Sequence, residues 1–171
     1  YRFGNLHFHV VGSIYERQVN YFRRLEKRVQ GYGLTNVHFH GFAARVEEYL
    51  RDADIFVYSS LYEASPTSVW EAMAMGMPIV STDVGDVGDH LQNGVSGFIV
   101  PAGDAESLAE KVGLLIEDAG LRKKFGEMAR AEATKSLDVE VCVAAHSRVY
   151  RMVANGARGK EEGIGSPGKG Y

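Results

Sequence analysis

Ala53-Asp54-Ile55-Phe56-Val57-Tyr58-Ser59-Ser60, followed after Glu63 and Ala64 by Ser65-Pro66-Thr67-Ser68-Val69-Trp70-Glu71-Ala72-Met73-Ala74-Met75-Gly76-Met77-Pro78-Ile79-Val80-Ser81, reads as strand, loop, helix and strand in succession. Ile55 to Tyr58 are β-compatible residues, and Pro66 to Met75 are apolar on several sides, as a buried helix requires. Gly76 supplies the helix stop, and Pro78 leads into the apolar run Ile79 to Ser81. The same alternation extends outward. Leu6 to Val11 is a strand closed by Gly12, and Tyr15, Val19, Phe22, Leu25 and Val29 recur at helical spacing before Gly31 and Gly33. Val37 to Phe42 is a second strand, and Val46, Tyr49, Leu50 and Ala53 mark a short helix. Gly97 to Val100 is a last strand, and helical patterns follow at Leu108 to Ile116, Leu121 to Met128 and Cys142 to Met152. Strands alternating with helices predict an α/β fold with a doubly wound parallel sheet, whose ligand crevice lies outside the carboxyl ends of the strands.

The chain has 171 residues, 45% hydrophobic and 24% charged, which is the composition of an ordinary globular domain and excludes collagen-like, coiled-coil and wholly disordered chains. A net charge of -3 gives no basic field for counterion release, so nucleic acid is not expected as a partner. Cys142 is the single cysteine, which rules out an internal disulfide and a Cys-rich zinc site and fits a reducing, cytoplasmic compartment. No apolar run reaches the length of a membrane span. Residues 1–154 are read as one domain and 155–171, rich in Gly, Lys and Glu, as a flexible tail. The opening Tyr1-Arg2-Phe3-Gly4 has no initiator Met, so the chain reads as an excerpt or a processed product.

Ser65 and Pro66 read as a helix start, Ser as N-cap and Pro at the first helical position. The free amides of that first turn, at the carboxyl edge of a parallel sheet, suit a phosphate or a diphosphate. Glu63 and Glu71 flank the same opening. Carboxylates repel phosphate but accept hydrogen bonds from paired hydroxyls, so their natural targets are ribose and hexose hydroxyls on either side of a diphosphate. Spacing alone favours the plainer reading, an early-helix acid stabilised by the macrodipole at Glu71 and a solvated Glu63.

Glu63, seven intervening residues, then Glu71-Ala72-Met73-Ala74-Met75-Gly76-Met77-Pro78 resembles the Glu-x7-Glu motif of the retaining GT-B glycosyltransferases of family 4. His38-Phe39-His40-Gly41-Phe42, Ala53 to Ser60 and Asn93-Gly94-Val95-Ser96-Gly97-Phe98-Ile99-Val100-Pro101-Ala102-Gly103-Asp104 extend the resemblance over roughly Leu6 to Val153. It implies the Rossmann-like C-terminal, donor-binding half of such an enzyme, with the acceptor domain absent. It further implies that Glu71 binds ribose hydroxyls and that Glu63 contacts the transferred sugar as the catalytic residue. Ser65, Pro66, Thr67 and Ser68 would then face diphosphate and sugar, and Gly41 and Phe42 would lie near the base. The implied partner is a UDP- or GDP-activated sugar as substrate, with no cofactor and no metal. The acceptor would be held by an N-terminal domain, and the full enzyme would sit in the cytoplasm or at the cytoplasmic membrane surface.

Family members carry an Arg and a Lys in a first βα unit that this sequence lacks. In a sheet of order 3-2-1-4-5-6 the missing strand would lie between Leu6–Val11 and Ile55–Tyr58, so another segment or subunit is expected to fill that position. Gly12-Ser13-Ile14-Tyr15 and Gly85-Asp86-Val87-Gly88-Asp89 also depart from the family pattern. The alternative is a non-catalytic nucleotide-sugar-binding module; a sugar-nucleotide epimerase is a third class. Asp52-Ala53-Asp54 is expected at a helix end and not on a metal. His7 with His9, and His38 with His40, alternate at strand period and share a sheet face, where satisfied strand histidines are commoner than ligands. Trp70 and Cys142 read as core residues, and Arg122-Lys123-Lys124 as a solvated helix face.

Overall fold

The computed structural model describes residues 5–161. Its strands form two parallel sheets, and the chain divides into two compact units with the boundary between Asp52 and Ala53. All five expected strands are present, and the fold is the α/β arrangement expected.

In the first unit, β1 (Phe8–Val11) pairs in parallel with β2 (Val37–Gly41). The crossover carries a 3-10 turn at Glu16–Gln18 and helix α1 (Val19–Gly31). Phe22 of α1 meets Phe39 of β2 edge to face at 5.0 Å, which fixes the helix on that sheet face. His9 lies opposite His38 in the register, and His7, His9, His38 and His40 stack on one side of the pair. Helix α2 (Val46–Asp52) closes the unit, with Leu50 buried. Asp52 ends that helix, as expected.

In the second unit, β4 (Ile79–Thr82) runs between β3 (Phe56–Tyr58) and β5 (Phe98–Val100), all parallel. Helix α3 (Thr67–Ala74) connects β3 to β4, and the one-turn helix α4 (Val87–His90) follows β4. Every residue of β4 is buried, as a central strand with helices packed on it should be. Helices α5 (Ala105–Glu117), α6 (Ala119–Ser136) and α7 (Val139–Glu161) follow. The core gathers Val80, Leu115 and Phe125, with Phe98 edge to face on Phe125 at 4.9 Å. Gly126 of α6 lies so close to the Gly76 carbonyl that a Cβ would stand 2.1 Å from its oxygen, so only glycine lets α6 approach the turn after α3.

Several details differ from the sequence reading. Helix α4 was not expected, because one turn containing Gly88 carries no usable periodicity. Helix α7 continues past Asn155 to Glu161, since no proline interrupts the chain before Pro167; the rest of the expected tail lies outside the described residues. Arg122 is not simply a solvated charge. Its guanidinium donates to the carbonyls of Leu115 at 2.6 Å and Ile116 at 3.0 Å, capping α5. Cys142 is half-buried on α7, its Sγ 3.9 Å from the Ser136 carbonyl. Among the described residues no helix is long and apolar enough to cross a membrane.

Candidate functional site

The carboxyl ends of β3 and β4 carry the second unit's cluster of polar side chains. Thr82 closes β4, and its hydroxyl donates to the Ser60 carbonyl at 2.7 Å, stapling the loop after β3 to the neighbouring strand. Ser60 in turn donates its hydroxyl to Glu63 Oε1 at 3.2 Å. The Tyr58 phenol, at the end of β3, also donates to Glu63, and the hydroxyls of Ser60 and Ser68 reach the same phenol. Burial and the Glu63 carboxylate push the Tyr58 phenol up to about 12, so it remains a neutral donor through the physiological range. Glu63 is thereby held half-buried by two donors from β3 and its loop. A carboxylate has room for about four acceptor contacts, so capacity for a ligand remains.

Gly85 holds the loop from the other side. Its φ of +56° is in the left-handed region, and a Cβ there would come within 2.2 Å of the Ala64 carbonyl oxygen. The Asp86 amide donates to that same carbonyl at 3.1 Å. The turn between β4 and α4 and the loop before α3 are therefore in backbone contact, and a side chain at residue 85 would push them apart.

Helix α3 begins one residue later than the sequence implied. Pro66, with φ −80° and ψ 95°, is the N-cap, and no side chain caps the helix. Ser65 is therefore not the N-cap. Its hydroxyl donates instead to Asp86 Oδ2 at 2.9 Å and accepts the Trp70 indole N–H at 3.2 Å. Pro66 is extended at ψ 95°, and its carbonyl takes the Val69 amide at 3.0 Å, so the first turn closes on Pro66 rather than on a hydroxyl. The amides of Thr67 and Ser68 have no acceptor within the helix.

Glu71 lies one turn after Thr67 on the same face and is exposed, and among the described residues its carboxylate makes no hydrogen bond or ion pair. Val69, Ala72 and Met73 occupy the buried face, which fixes the direction in which Thr67 and Glu71 point. Trp70 is half-buried rather than a core residue, with its ring edge to face on His90 at 4.9 Å. Asp86 Oδ1 is shielded from solvent without a hydrogen-bond partner.

The structure thus brings Glu63, Ser65, Pro66, Thr67, Ser68 and Glu71 together around the start of α3. Gly41 and Phe42 belong to the first unit: Gly41 ends β2 and lines a small cleft with Val10, Gly12 and Phe39, while Phe42 is exposed. Sequence reasoning missed the roles of Tyr58, Ser60, Thr82 and Asp86. For Tyr58, Ser60 and Thr82 the available signal was their position at or just after a strand carboxyl end, because hydroxyls there face the crevice of a parallel sheet; Asp86 lies in the turn before α4.

Residues 2–132 match the family model described as glycosyl transferases group 1. An N,N'-diacetylbacillosaminyl-diphospho-undecaprenol alpha-1,3-N-acetylgalactosaminyltransferase of Campylobacter jejuni is 32% identical over 120 residues, covering 70% of this chain and 32% of that protein. This chain therefore spans about a third of that relative's length. Among solved structures, Anabaena HepE in complex with UDP-glucose superposes with a TM-score of 0.77 at 25% identity, covering 86% of this chain and 40% of that one. The C-terminal domain of a glycosyl transferase group 1 family protein from Francisella tularensis, LpcC, gives a TM-score of 0.69 at 26% identity, covering 73% of this chain and 66% of that one.

Proposed function

The chain belongs to the group 1 glycosyl transferases, with the Rossmann-like fold of the C-terminal domain of GT-B enzymes, and from that premise we propose that it is the donor-binding half of a retaining, metal-independent hexosyltransferase. One observation carries the reading: an oriented carboxylate, two free helix amides and an unpartnered carboxylate lie in sequence around a single opening. A nucleotide sugar presents groups of matching chemistry in the same order. Glu63, positioned by Tyr58 and Ser60, accepts from hydroxyls of the transferred sugar; the amides of Thr67 and Ser68 face the diphosphate; Glu71 accepts from the ribose hydroxyls.

Among the described residues around this opening, the helix amides and the positive end of α3 are the groups that would meet the charge of the leaving diphosphate. The role of Ser65 is indirect: with its hydroxyl engaged by Asp86 and Trp70, it fixes the approach to Pro66 rather than offering a free group. A UDP-glucose complex of the Anabaena neighbour supports a uridine-linked donor. Transfer itself is a property of the longer protein, because the acceptor is held outside this chain.

Calorimetric titration of the chain with UDP, GDP, UDP-glucose and GDP-mannose in EDTA tests the reading. We expect binding selective for one base, and Glu71→Gln should weaken it by about 1.5–3 kcal/mol through loss of charged hydrogen bonds. Undiminished affinity of Glu71→Gln would remove the assignment. Sugar transfer by the chain combined with an N-terminal half distinguishes an enzyme from a module that only binds.

A further inference from the structure

The first unit carries four imidazoles on one face of its two-stranded sheet. Strand alternation puts His7 and His9 on that face, and the parallel register brings His38 and His40 alongside. They form a continuous column. Ring centroids are 5.4 Å apart for His7 and His38, 5.2 Å for His9 and His38, and 5.1 Å for His9 and His40, and Tyr49 of α2 lies 4.9 Å beyond His40. Within the column the nitrogens pair diagonally. His7 Nδ1 is 3.1 Å from His38 Nε2, and His9 Nδ1 is 2.8 Å from His40 Nε2.

In each pair the two ring nitrogens stand at hydrogen-bond distance, and the same spacing is the bite that a two-imidazole metal clamp requires. With metal–nitrogen bonds of about 2.0 Å, two ligands at a right angle stand roughly 2.9 Å apart and two at a tetrahedral angle roughly 3.3 Å apart. The His9–His40 spacing fits the right-angled case, and the His7–His38 spacing falls between the two. Right-angled nitrogen coordination is the preference of Cu2+ and Ni2+, for which imidazole is also a matched donor. No carboxylate, lysine or arginine among the described residues makes an ion pair or hydrogen bond with these rings, and His7, His9 and His40 are exposed. Asn36 ties the entry of β1 through its amide to the Leu6 carbonyl at 2.7 Å, so His7 is held although it precedes the strand.

We infer that the histidine face of the first unit binds divalent late transition metal, Cu2+ or Ni2+ in preference to Zn2+, one ion per cross-strand pair. Among the described residues no group of three His, Cys, Asp or Glu could hold a metal ion, so each ion has two protein ligands and completes its sphere with water. Binding is therefore exchangeable rather than structural. In each neutral pair one ring donates its N–H to the other; when the ion enters, that proton moves to the donor ring's outer nitrogen and no net proton is released. This site is independent of the nucleotide-sugar reading, and either can fail alone.

The full chain titrated with Cu2+ and followed by electron paramagnetic resonance provides the test. An axial signal with two equatorial nitrogens is expected, together with selective broadening of β1 and β2 amide resonances in the wild-type chain. The double variant His9→Asn/His38→Asn removes one ligand from each pair. Loss of an outer-shell partner already costs about 10–100-fold in metal affinity, so loss of a ligand should weaken Cu2+ binding by at least about tenfold. A signal without equatorial nitrogen, broadening centred on other segments, or equal affinity of a folded double variant would each overturn the inference. Should the double variant fail to fold, the wild-type spectrum and broadening pattern decide alone.

Discussion

The two units are built from the same strand-helix-strand grammar, yet they bury their residues very differently. In the first, Leu50 is the single buried hydrophobic among the described residues, α1 has no buried residue, and Phe8 and Val10 of β1 remain 44% and 46% exposed. In the second, β4 is buried throughout and α3 is buried along Val69, Ala72 and Met73. The difference follows from layer count. β4 has a strand on each edge and helices packed against it, whereas β1 has one partner strand and one helix-covered face. Burial scales with covering layers, and so does the free energy available to hold a side chain in place. The proposed donor opening stands on the well-buried unit, where a carboxylate can be fixed; the histidine face stands on the thinly buried one, where the rings remain accessible.

Truncating one aromatic in each unit measures that asymmetry directly. Phe125→Ala empties a fully buried site beneath β4 and β5 and should cost about 3–5 kcal/mol. Phe22→Ala removes a half-buried ring that packs on Phe39 alone among aromatic rings, and about 1–2 kcal/mol is expected from the smaller area returned to water. Denaturant melts read by amide exchange within each unit separate the two losses. Equal losses would mean that the first unit has a core of its own and would dissolve the contrast.

Glycine-to-alanine changes should differ in sign between the units. At Gly126 a new methyl meets the Gly76 carbonyl oxygen, so α6 must move away from α3 at a cost of about 1–3 kcal/mol. At Gly31, the last residue of α1, nothing lies within 4 Å, and alanine should stabilise the helix by about 0.5–1 kcal/mol. Thermal unfolding of the two variants checks both signs. A neutral Gly126→Ala would show that α3 and α6 can slide without loss, and the start of α3 would then be less firmly placed than the geometry implies.

How much of this was legible in the sequence also differs between the units. The strands and longer helices could be read because each carries a period, and the histidine alternation in Leu6 to Val11 and Val37 to Phe42 puts His7 with His9, and His38 with His40, each on one face of its strand. Their diagonal pairing could not be read, because register is a property of two strands and not of either one. Around the donor opening, Glu63 and Glu71 stood out by spacing and by family resemblance. Tyr58, Ser60 and Thr82 did not, since the contact from Thr82 to Ser60 spans 22 residues and no local pattern records it. The helix start was misplaced by one residue for a related reason. Ser65 satisfies the local rule for an N-cap, but Asp86 and Trp70, both outside that rule, claim its hydroxyl.

The smallest expected effect concerns Tyr58 and tests whether the better-buried unit owes part of its margin to the network holding Glu63. The phenol is raised from 10.0 to about 12 in the folded chain, first by burial and then by its bond to the Glu63 carboxylate. A group whose proton is held more tightly in the folded state contributes stability below its unfolded value and loses it as pH rises through the folded one. The contribution is therefore intact below pH 10 and fades between pH 10 and about 12. It is modest, because the phenol remains partly solvated. Urea melts of the wild type and of Tyr58→Phe across that range isolate it from other alkaline titrations. The two proteins should converge as the pH approaches 12, and the wild type should show a larger tyrosinate absorbance change there than Tyr58→Phe, which keeps the chain's other tyrosines. Parallel pH profiles would mean that Glu63 is oriented by Ser60 without help from the strand end, and the donor opening would owe less to the burial of its unit than the comparison of the two units implies.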